Sequence, residues 1–245
     1  MAAPSEWLRA LPDRAVDASV GDPVWAVFTL ANGDVRVEPC HVLAVGKNVA
    51  TVIDQSLITH EGVPGALIRR VGDRLTMKVG DLVTSFDWRH DLGIALVTRR
   101  DALERLVVKF RDSASVVREE LANAVEPIPT SVGPFAWVSF QMPATTLSTS
   151  AVSARGLVFA SDGTKLFVRD DTARGWVVDK SAASALSLST KAHEVGDEVT
   201  ACDRGEGYRH GKIARVFTAG FAYGVTFDGD SGIHDLYFSD FTQNP

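Results

Sequence analysis

The stretch VGDEVTACDRGEGYRHGKIARVF at residues 195–217, followed by YGVTFDGDSGIHDLYFSDF at residues 223–241, decides the fold. It opens on a Val-Gly pair, and such pairs open β-like runs at four points in the chain: Val20-Gly21-Asp22, Val79-Gly80-Asp81, Val132-Gly133-Pro134 and Val195-Gly196-Asp197. An aspartate closes a β-like run at one fixed interval, at Asp54, Asp112, Asp170 and Asp228. Fixed spacing of this kind indicates one structural unit that is repeated four times.

Short stretches of alternating apolar and polar residues lie between these marks. They are separated by turn signals such as Asn32-Gly33 and Asp162-Gly163, which favour tight hairpins. Many short strands with Gly and Asp turns between them are typical of small barrels or sandwiches. The sequence therefore predicts an all-β fold of tandem SH3-like barrels, each with about five strands. The segment PSEWLRAL at 4–11 predicts a short N-terminal helix that closes the first barrel.

The repeat also predicts domain boundaries. We expect the helical segment and four repeats over the ranges 1–18, 19–77, 78–129, 130–192 and 193–245. Three segments fit the repeat less well. Residues 55–77 are interpreted as an extension with an extra strand in RVGDRLTMKV, and 115–127 as a short strand with a helical turn. Residues 181–190, SAASALSLST, are interpreted as a small helix or a linker.

Composition and charge narrow the function classes. The chain has 245 residues, of which 45% are hydrophobic and 23% charged, and its net charge is −6. An acidic chain does not favour nonspecific nucleic-acid binding, which needs a basic surface. The two cysteines, Cys40 and Cys202, are expected to be reduced thiols. No apolar run has the length of a membrane span and no signal peptide is apparent, so we expect a cytoplasmic protein.

The repeats resemble the Tudor/agenet group of SH3-like barrels. That group typically opens with V-G-D-x-V-x-A, followed by Tyr-x-Gly-x-Val and then V-x-F-x-D. The fourth repeat is the best match, the second matches well, and the first and third match in outline. Many Tudor domains bind methylated Lys or Arg in a cage of aromatic rings, because a cation is attracted to the faces of those rings.

The resemblance places candidate site residues in two repeats. In the fourth, Phe227 takes the cage position on the third strand, and Tyr208 lies one residue before the expected Tyr, where Arg209 stands. Tyr223 is a candidate third ring, Asp230 replaces the loop aromatic, and Cys202-Asp203 replace the first-strand aromatic. In the second repeat, Phe110 matches the cage position, Asp112 lies nearby, and Phe86 or Trp88 lies near the first-strand position. No repeat carries a full cage.

Three functions follow from these observations, in decreasing order of support. The first is a non-catalytic interaction or scaffold protein that binds a protein or peptide through the barrel rims, with no cofactor and no metal. The second is nucleic-acid binding through the basic segment 99–111, which contains Arg99, Arg100, Arg105, Lys109 and Arg111. The third is a trypsin-like hydrolase with His41, Asp91 and Ser231, although a repeated hairpin turn already explains GDSG at 229–232. The sequence leaves the oligomeric state open.

Overall fold

The computed structural model describes residues 4–29, 35–86, 92–111, 117–121, 124–142, 152–170, 174–188, 192–203, 207–218 and 222–242. Within these residues one short helix, α1 at Pro4–Arg9, precedes strands that form four five-stranded sheets. In each sheet the first strand pairs with the second and the fifth, and the second, third and fourth strands follow as a meander. This is the strand order of an SH3-like barrel. The predicted fold class, all-β with small barrels and a short N-terminal helix, is confirmed.

Each of the first two sheets is formed by five consecutive strands of the chain. The first sheet contains β1 Pro23–Thr29, β2 Val35–Val45, β3 Val49–Asp54, β4 Thr59–Pro64 and β5 Ile68–Arg70. The second contains β6 Leu82–Phe86, β7 Leu92–Arg100, β8 Leu106–Arg111, β9 Val117–Leu121 and β10 Ala124–Pro127.

The other two sheets repeat this order. The third contains β11 Trp137–Met142, β12 Val152–Ser161, β13 Lys165–Asp170, β14 Gly175–Asp179 and β15 Ala183–Ala185. The fourth contains β16 Glu198–Asp203, β17 Gly207–Thr218, β18 Ala222–Phe227, β19 His234–Tyr237 and β20 Phe241–Thr242. In the first, third and fourth sheets a single 3-10 turn joins the fourth strand to the fifth, at Gly65–Leu67, Lys180–Ala182 and Phe238–Asp240.

The repeated Val-Gly-Asp sequence forms one turn that fastens the first strand to the second. In the fourth sheet Gly196 has a φ of 98°, and its N–H donates to the carbonyl of Ile213 at 2.8 Å. The carboxylate of Asp197 accepts a hydrogen bond of 3.0 Å from the N–H of Glu194. Glycine is needed because this φ is unfavourable for residues with a Cβ. The same contacts recur at Ser19, Gly21, Asp22 and Val42, and at Lys78, Gly80, Asp81 and Val97.

The third sheet departs from this rule, and its predicted alignment on Val132-Gly133 is wrong. The residue with a positive φ is Phe135, at 62°, and its N–H donates to the carbonyl of Val158 at 2.8 Å. The turn thus lies two residues later than the sequence pattern indicates. Phe135 is buried, and its ring contacts those of Trp25 and Phe159 at centroid distances of 5.7 and 6.2 Å. Burial of the ring offsets the cost of the left-handed backbone.

Three further segments correct the sequence-based expectations. Residues 59–70 complete the first sheet, and RVGDRLTMKV contains a 3-10 turn at Arg74–Thr76 rather than an extra strand. The expected helical turn before Pro127 is strand β10, which pairs with β6. SAASALSLST contributes strand β15. Each of these segments supplies the fourth or fifth strand of a sheet, whose short length gives little alternation from which to predict it.

The chain divides into two compact units. The first comprises Met1–Ile128, Gly133–Phe135 and Leu157–Lys180, and therefore includes the first two sheets with β13 and β14. Its helix α1 contacts β14, and the indole of Trp7 donates to Asp162 at 3.2 Å. The helix thus packs on the third sheet. The expectation that it closes the first barrel is wrong. Trp25, Phe86, Phe135 and Phe159 form an aromatic core within this unit.

The second unit comprises Pro129–Val132, Ala136–Gly156 and Ser181–Pro245 and includes the whole fourth sheet. Its core follows the two-residue period of the strands, because alternate side chains of β16 and β18 point to one face. The buried residues are Val199, Ala201, Ile213, Tyr223, Val225, Phe227, Leu236 and Phe241.

Candidate binding site

The structure does not describe the side chains of the second-repeat candidates Trp88, Phe110 and Asp112. Trp88 and Asp112 lie outside the described residues. Phe110 lies on β8, where its backbone pairs with Arg118, and its side chain is outside the described part. These three residues therefore stay predictions.

Tyr223 is a core residue rather than a rim residue, which corrects its assignment as a candidate third ring. Its side chain is 1% exposed, and its hydroxyl accepts a hydrogen bond of 3.1 Å from the N–H of His193. Its ring meets that of Phe241 edge to face at 5.4 Å. The alternation of β18 explains this position, because Tyr223, Val225 and Phe227 share the buried face.

Phe227 and Tyr208 lie at the same end of the fourth sheet, near the last residues of β18 and β16. Tyr208 is half-buried and pairs with Cys202 across the first two strands. The Phe227 side chain is 1% exposed, and the guanidinium carbon of Arg209 lies 4.6 Å from its ring centroid. An aromatic face at the predicted cage position is therefore covered by a cation of the chain itself.

Two carboxylates hold this guanidinium. Nη1 of Arg209 donates to Asp203 at 3.0 Å and lies 3.8 Å from Asp230. The side chains of Asp203, Arg209 and Asp230 are between 15% and 30% exposed, so water reaches the group without surrounding it. Such partly buried, charge-assisted contacts are stronger than fully exposed ion pairs.

Asp230 and His234 build the loop on which this group rests. One carboxylate oxygen of Asp230 accepts the N–H of Gly232 at 2.8 Å, and the other lies 2.7 Å from Nε2 of His234. The bond from Gly232, then that from His234, lowers the pKa of Asp230 below its ordinary value. The other ring nitrogen of His234 lies 3.6 Å from Asp203. We name Asp203, Arg209, Phe227, Asp230 and His234 the fourth-rim cluster.

Sequence reasoning identified Phe227 and Asp230 as candidate site residues. It did not identify the contacts that Arg209 makes with Asp203 and Asp230. Asp203 and Arg209 were recognised only as departures from the aromatic pattern. The signal that could have indicated them is their opposite charge on the two strands of one hairpin, since Asp203 pairs with Gly207 and Arg209 lies two residues further along β17. His234 gave no signal, because its contact with Asp230 depends on the turn at Gly229, whose φ is 79°.

A related arrangement lies at the corresponding end of the first sheet. The ring of His60 stacks on Phe28 with centroids 4.1 Å apart, and Nε2 of His60 lies 2.9 Å from Asp54. Asp54 also accepts the N–H groups of Ser56 and Ile58 at 2.8 and 2.9 Å. Burial raises the pKa of Asp54, but the bonds from His60 and the backbone outweigh burial, and the net pKa is lowered.

The same aspartate position recurs in the third sheet and explains the regular spacing. Asp170 accepts the N–H of Arg174 at 2.9 Å and the indole N–H of Trp176 at 2.7 Å. In both sheets one carboxylate closes the hairpin after the third strand and fixes a ring on the fourth. The regular aspartates at Asp54 and Asp170 therefore stabilise a turn.

The basic segment 99–111 is largely paired with acidic side chains. Arg105 donates to Asp101 at 2.8 Å, Arg99 lies 3.8 Å from Glu119, and Arg100 donates to the carbonyls of Glu104 and Met77. Lys109 lies opposite Glu119 in the β8–β9 register, and the side chain of Arg111 is outside the described part. This pairing weakens the case for a phosphate-binding surface.

The structure describes two of the three residues of the hydrolase alternative, Ser231 and His41. Ser231 is exposed in the turn that Asp230 closes, and Asp91 lies outside the described residues. His41 is exposed, with Nδ1 3.5 Å from the carbonyl of Gly21. Cys40 and Cys202 are buried thiols, and burial raises the pKa of Cys40 to about 12.

No group of three or more His, Cys, Asp or Glu side chains among the described residues is placed to hold a metal ion. The described part of the chain also contains no helix with the length and apolar character that a membrane crossing needs.

Comparison with known proteins finds similarity to solved structures. No protein-family model matches the chain, and no curated protein matches it. Among solved structures, the chain is similar to the four MBT repeats of Drosophila melanogaster Sfmbt in complex with the peptide RHR(me)KVLR. The alignment covers 92% of this chain and 88% of that chain, with 12% sequence identity and a TM-score of 0.20.

Proposed function

We propose that this chain is a non-catalytic interaction or scaffold protein that binds a protein or peptide partner through its barrel rims. The observation that carries the proposal is the fourth-rim cluster, in which Arg209 lies on the ring of Phe227 between Asp203 and Asp230. Interaction sites in small barrels commonly lie on loops that a rigid sheet positions. Here the sheet core holds Phe227, while Tyr208, Asp230 and His234 remain partly exposed to a partner.

The charge of the rim specifies the chemistry of the partner. Asp203, Asp228, Asp230 and Asp235 lie on or beside the hairpins that form it, against the single guanidinium of Arg209 among the described residues there. The whole chain is also acidic, with a net charge of −6. Complementary charge speeds association and suppresses wrong partners. The partner segment that fits this rim is therefore basic.

Fluorescence anisotropy with two labelled peptides of equal length tests the proposal, one rich in Arg and one rich in Glu. We expect the purified chain to bind the Arg-rich peptide and not the Glu-rich one. Tyr208→Ala and Asp230→Asn should each weaken binding by roughly fivefold or more, as expected for loss of one aromatic or charged contact. Absence of binding to the Arg-rich peptide at low salt would contradict the proposal.

Glu198→Gln is the matched control. Glu198 starts β16 at the end opposite Asp203, and its side chain is exposed beside Lys212 at 3.4 Å. The substitution removes one negative charge from the same strand without touching the rim, so the affinity should stay within about twofold of the unchanged chain. An equal loss in Glu198→Gln and Asp230→Asn would show that net charge, and not the rim, determines binding.

A further inference from the structure

The fourth-rim cluster has the components of a cation-binding site, and a cation of the chain already occupies it. The ring of Phe227 supplies an aromatic face, and Asp203 and Asp230 supply two carboxylates. These groups act on the guanidinium of Arg209 through attraction to the ring face and through charge-assisted hydrogen bonds. A guanidinium on a separate molecule would meet the same three groups.

The groups around Arg209 are fixed by contacts that do not involve Arg209. Phe227 belongs to the buried core of the sheet. Asp230 is oriented by the N–H of Gly232 and by His234, whose ring also lies 5.2 Å from that of Phe227 at 66°. A site whose walls are held in place this way keeps its shape when its occupant leaves, which lowers the cost of binding a replacement.

Arg209 is the cationic member of the cluster and is partly exposed to solvent. Its side chain is 22% exposed, and it starts from β17 directly after the β16–β17 connection. Arg209 contacts an aromatic face and partly hydrated carboxylates. A partner's guanidinium in its place would make the same contacts. The exchange is therefore close to neutral in free energy, apart from the entropy of bringing in the partner.

The first sheet also covers an aromatic ring with a side chain of the chain itself. His60 stacks on Phe28 and is held by Asp54. The two rings are not equivalent positions of the repeat, because Phe28 lies on the first strand of its sheet and Phe227 on the third. The first sheet therefore shows a contact of the same kind and not a second copy of the site.

We infer that the rim of the fourth sheet is a self-occupied guanidinium site, in which Arg209 is the internal ligand and a partner's arginine enters by displacing it. The inference rests on the proposed function for its biological partner, but the site itself does not depend on that partner. Self-occupation lowers the apparent affinity of a partner, because only the fraction of molecules with Arg209 withdrawn can bind it.

Ethylguanidinium, added at low millimolar concentration, is the probe for the emptied site. Arg209→Ala should bind it saturably, seen as a rise in the melting temperature and as shifts of backbone NMR signals near Phe227, whereas the unchanged chain should show neither. Arg209→Leu is the matched control, because leucine keeps an apolar group over Phe227 and leaves no space for the probe. Equal responses from Arg209→Ala and Arg209→Leu would overturn the inference.

Two further variants complete the test, one that removes a carboxylate and one that replaces Arg209→Ala. Arg209→Ala/Asp230→Asn should lose the response to ethylguanidinium, since it lacks one of the two carboxylates. Where Arg209→Ala fails to fold, Arg209→Gln takes its place, because glutamine keeps part of the side-chain stem without the cation. Binding of ethylammonium as tight as that of ethylguanidinium would overturn the assignment of the site to guanidinium.

The Arg-rich peptide separates this inference from the proposed function. If Arg209 is an internal ligand, Arg209→Ala should bind the peptide about tenfold more tightly than the unchanged chain, as expected when a competing state is removed. Weaker binding by Arg209→Ala would show that Arg209 contacts the partner directly, which overturns self-occupation and leaves the proposed function intact. Binding of ethylguanidinium by Arg209→Ala without peptide binding by either protein would support the site and contradict the proposed function.

Discussion

The indole N–H of Trp25 donates a hydrogen bond of 3.0 Å to the buried carboxylate of Glu126, which ties the first sheet to the second. The same oxygen of Glu126 accepts the backbone N–H of Gly72, and Arg69 contributes a nearby positive charge. One carboxylate on β10 thus satisfies two donors that belong to the first sheet and to the segment after it. Removing such an acceptor leaves buried donors without a partner.

Glu126→Ala should lower the free energy of unfolding by roughly 2–4 kcal/mol, because the buried indole N–H of Trp25 and the part-buried N–H of Gly72 lose their acceptor. Glu126→Gln keeps an acceptor oxygen of the same shape and should cost far less. Urea denaturation followed by tryptophan fluorescence measures both. A loss in Glu126→Gln as large as that in Glu126→Ala would show that the negative charge, not the acceptor oxygen, stabilises the contact.

The pH dependence of the Glu126→Gln effect has a definite sign. Burial raises the pKa of Glu126, and the bonds from Gly72 and Trp25 only partly oppose this. A carboxyl with a raised pKa in the folded protein contributes stability below its unfolded pKa of about 4.3, and this contribution is lost as the pH rises through the folded value. The stability of Glu126→Gln relative to the unchanged chain should therefore increase from pH 4 to pH 7. A constant or falling difference would contradict the raised pKa.

Phe135 offers a test of backbone strain in the third sheet. At ordinary positions, alanine is more stable than glycine because glycine has the more flexible unfolded chain. At Phe135 the φ of 62° reverses this order, since a left-handed residue with a Cβ costs about 1–2 kcal/mol. Both Phe135→Ala and Phe135→Gly should lose roughly 3–5 kcal/mol with the ring, and the glycine variant should be the more stable of the two.

Phe159 is the control for this pair. It is also a buried phenylalanine, it lies on β12, and it has no positive φ. Phe159→Ala should be more stable than Phe159→Gly, the opposite of the order at Phe135. The same order at both positions, measured by urea denaturation, would show that the backbone at Phe135 relaxes freely when the ring is removed.

The two turns that begin the third and fourth sheets show which parts of the fold can be predicted from the sequence. At Gly196 the glycine, the aspartate and the alternation of β16 all indicate one turn, and the turn forms there. At Phe135 local preference opposes the left-handed backbone, which is stabilised by the hydrogen bond to Val158 and by contacts with Trp25 and Phe159. Such contacts join residues far apart in the chain, which a period of two residues does not predict.

The candidate site shows the same limit. The sequence indicates a ring at Phe227 and a carboxylate at Asp230 as site candidates, and their role in binding stays a prediction. It does not reveal that Arg209 covers the ring, because this depends on which side of the β16–β17 hairpin faces β18. Alternation likewise indicates that Tyr223 and Phe227 share a face but not that this face is the core.

Asp54 predicts how the chain responds to acid. Burial alone would raise the pKa of Asp54, but the bonds from His60, Ile58 and Ser56 lower it overall. A carboxyl with a lowered folded pKa contributes stability above its unfolded pKa of about 3.9, and this is lost as the pH falls through the folded value. Asp54→Asn should therefore be less stable than the unchanged chain at pH 6, and the difference should shrink below pH 4. Asp179→Asn, an exposed carboxylate on β14, is the control and should show no such convergence.

The second unit contains an ion pair whose two partners have unequal roles. Arg155 on β12 donates to Asp240 at 2.9 Å, and both side chains are buried, at 5% and 1% exposed. Breaking one side of such a pair costs about 3–5 kcal/mol, because the other charge stays buried. Asp240 also accepts the N–H of Tyr237 at 2.9 Å and so caps the 3-10 turn before β20. We therefore expect Asp240→Ala to be more destabilising than Arg155→Met, which keeps an apolar stem of similar length.

A double-mutant cycle separates the ion pair from the cap. The combined variant Arg155→Met/Asp240→Ala should be less destabilised than the sum of the two single variants by roughly 1–3 kcal/mol, because neither charge is then left buried alone. The remaining loss measures the cap at Tyr237. Additive losses in urea denaturation would show that Arg155 and Asp240 do not interact energetically despite their 2.9 Å separation. Equal losses in the two single variants would contradict the separate role assigned to the turn.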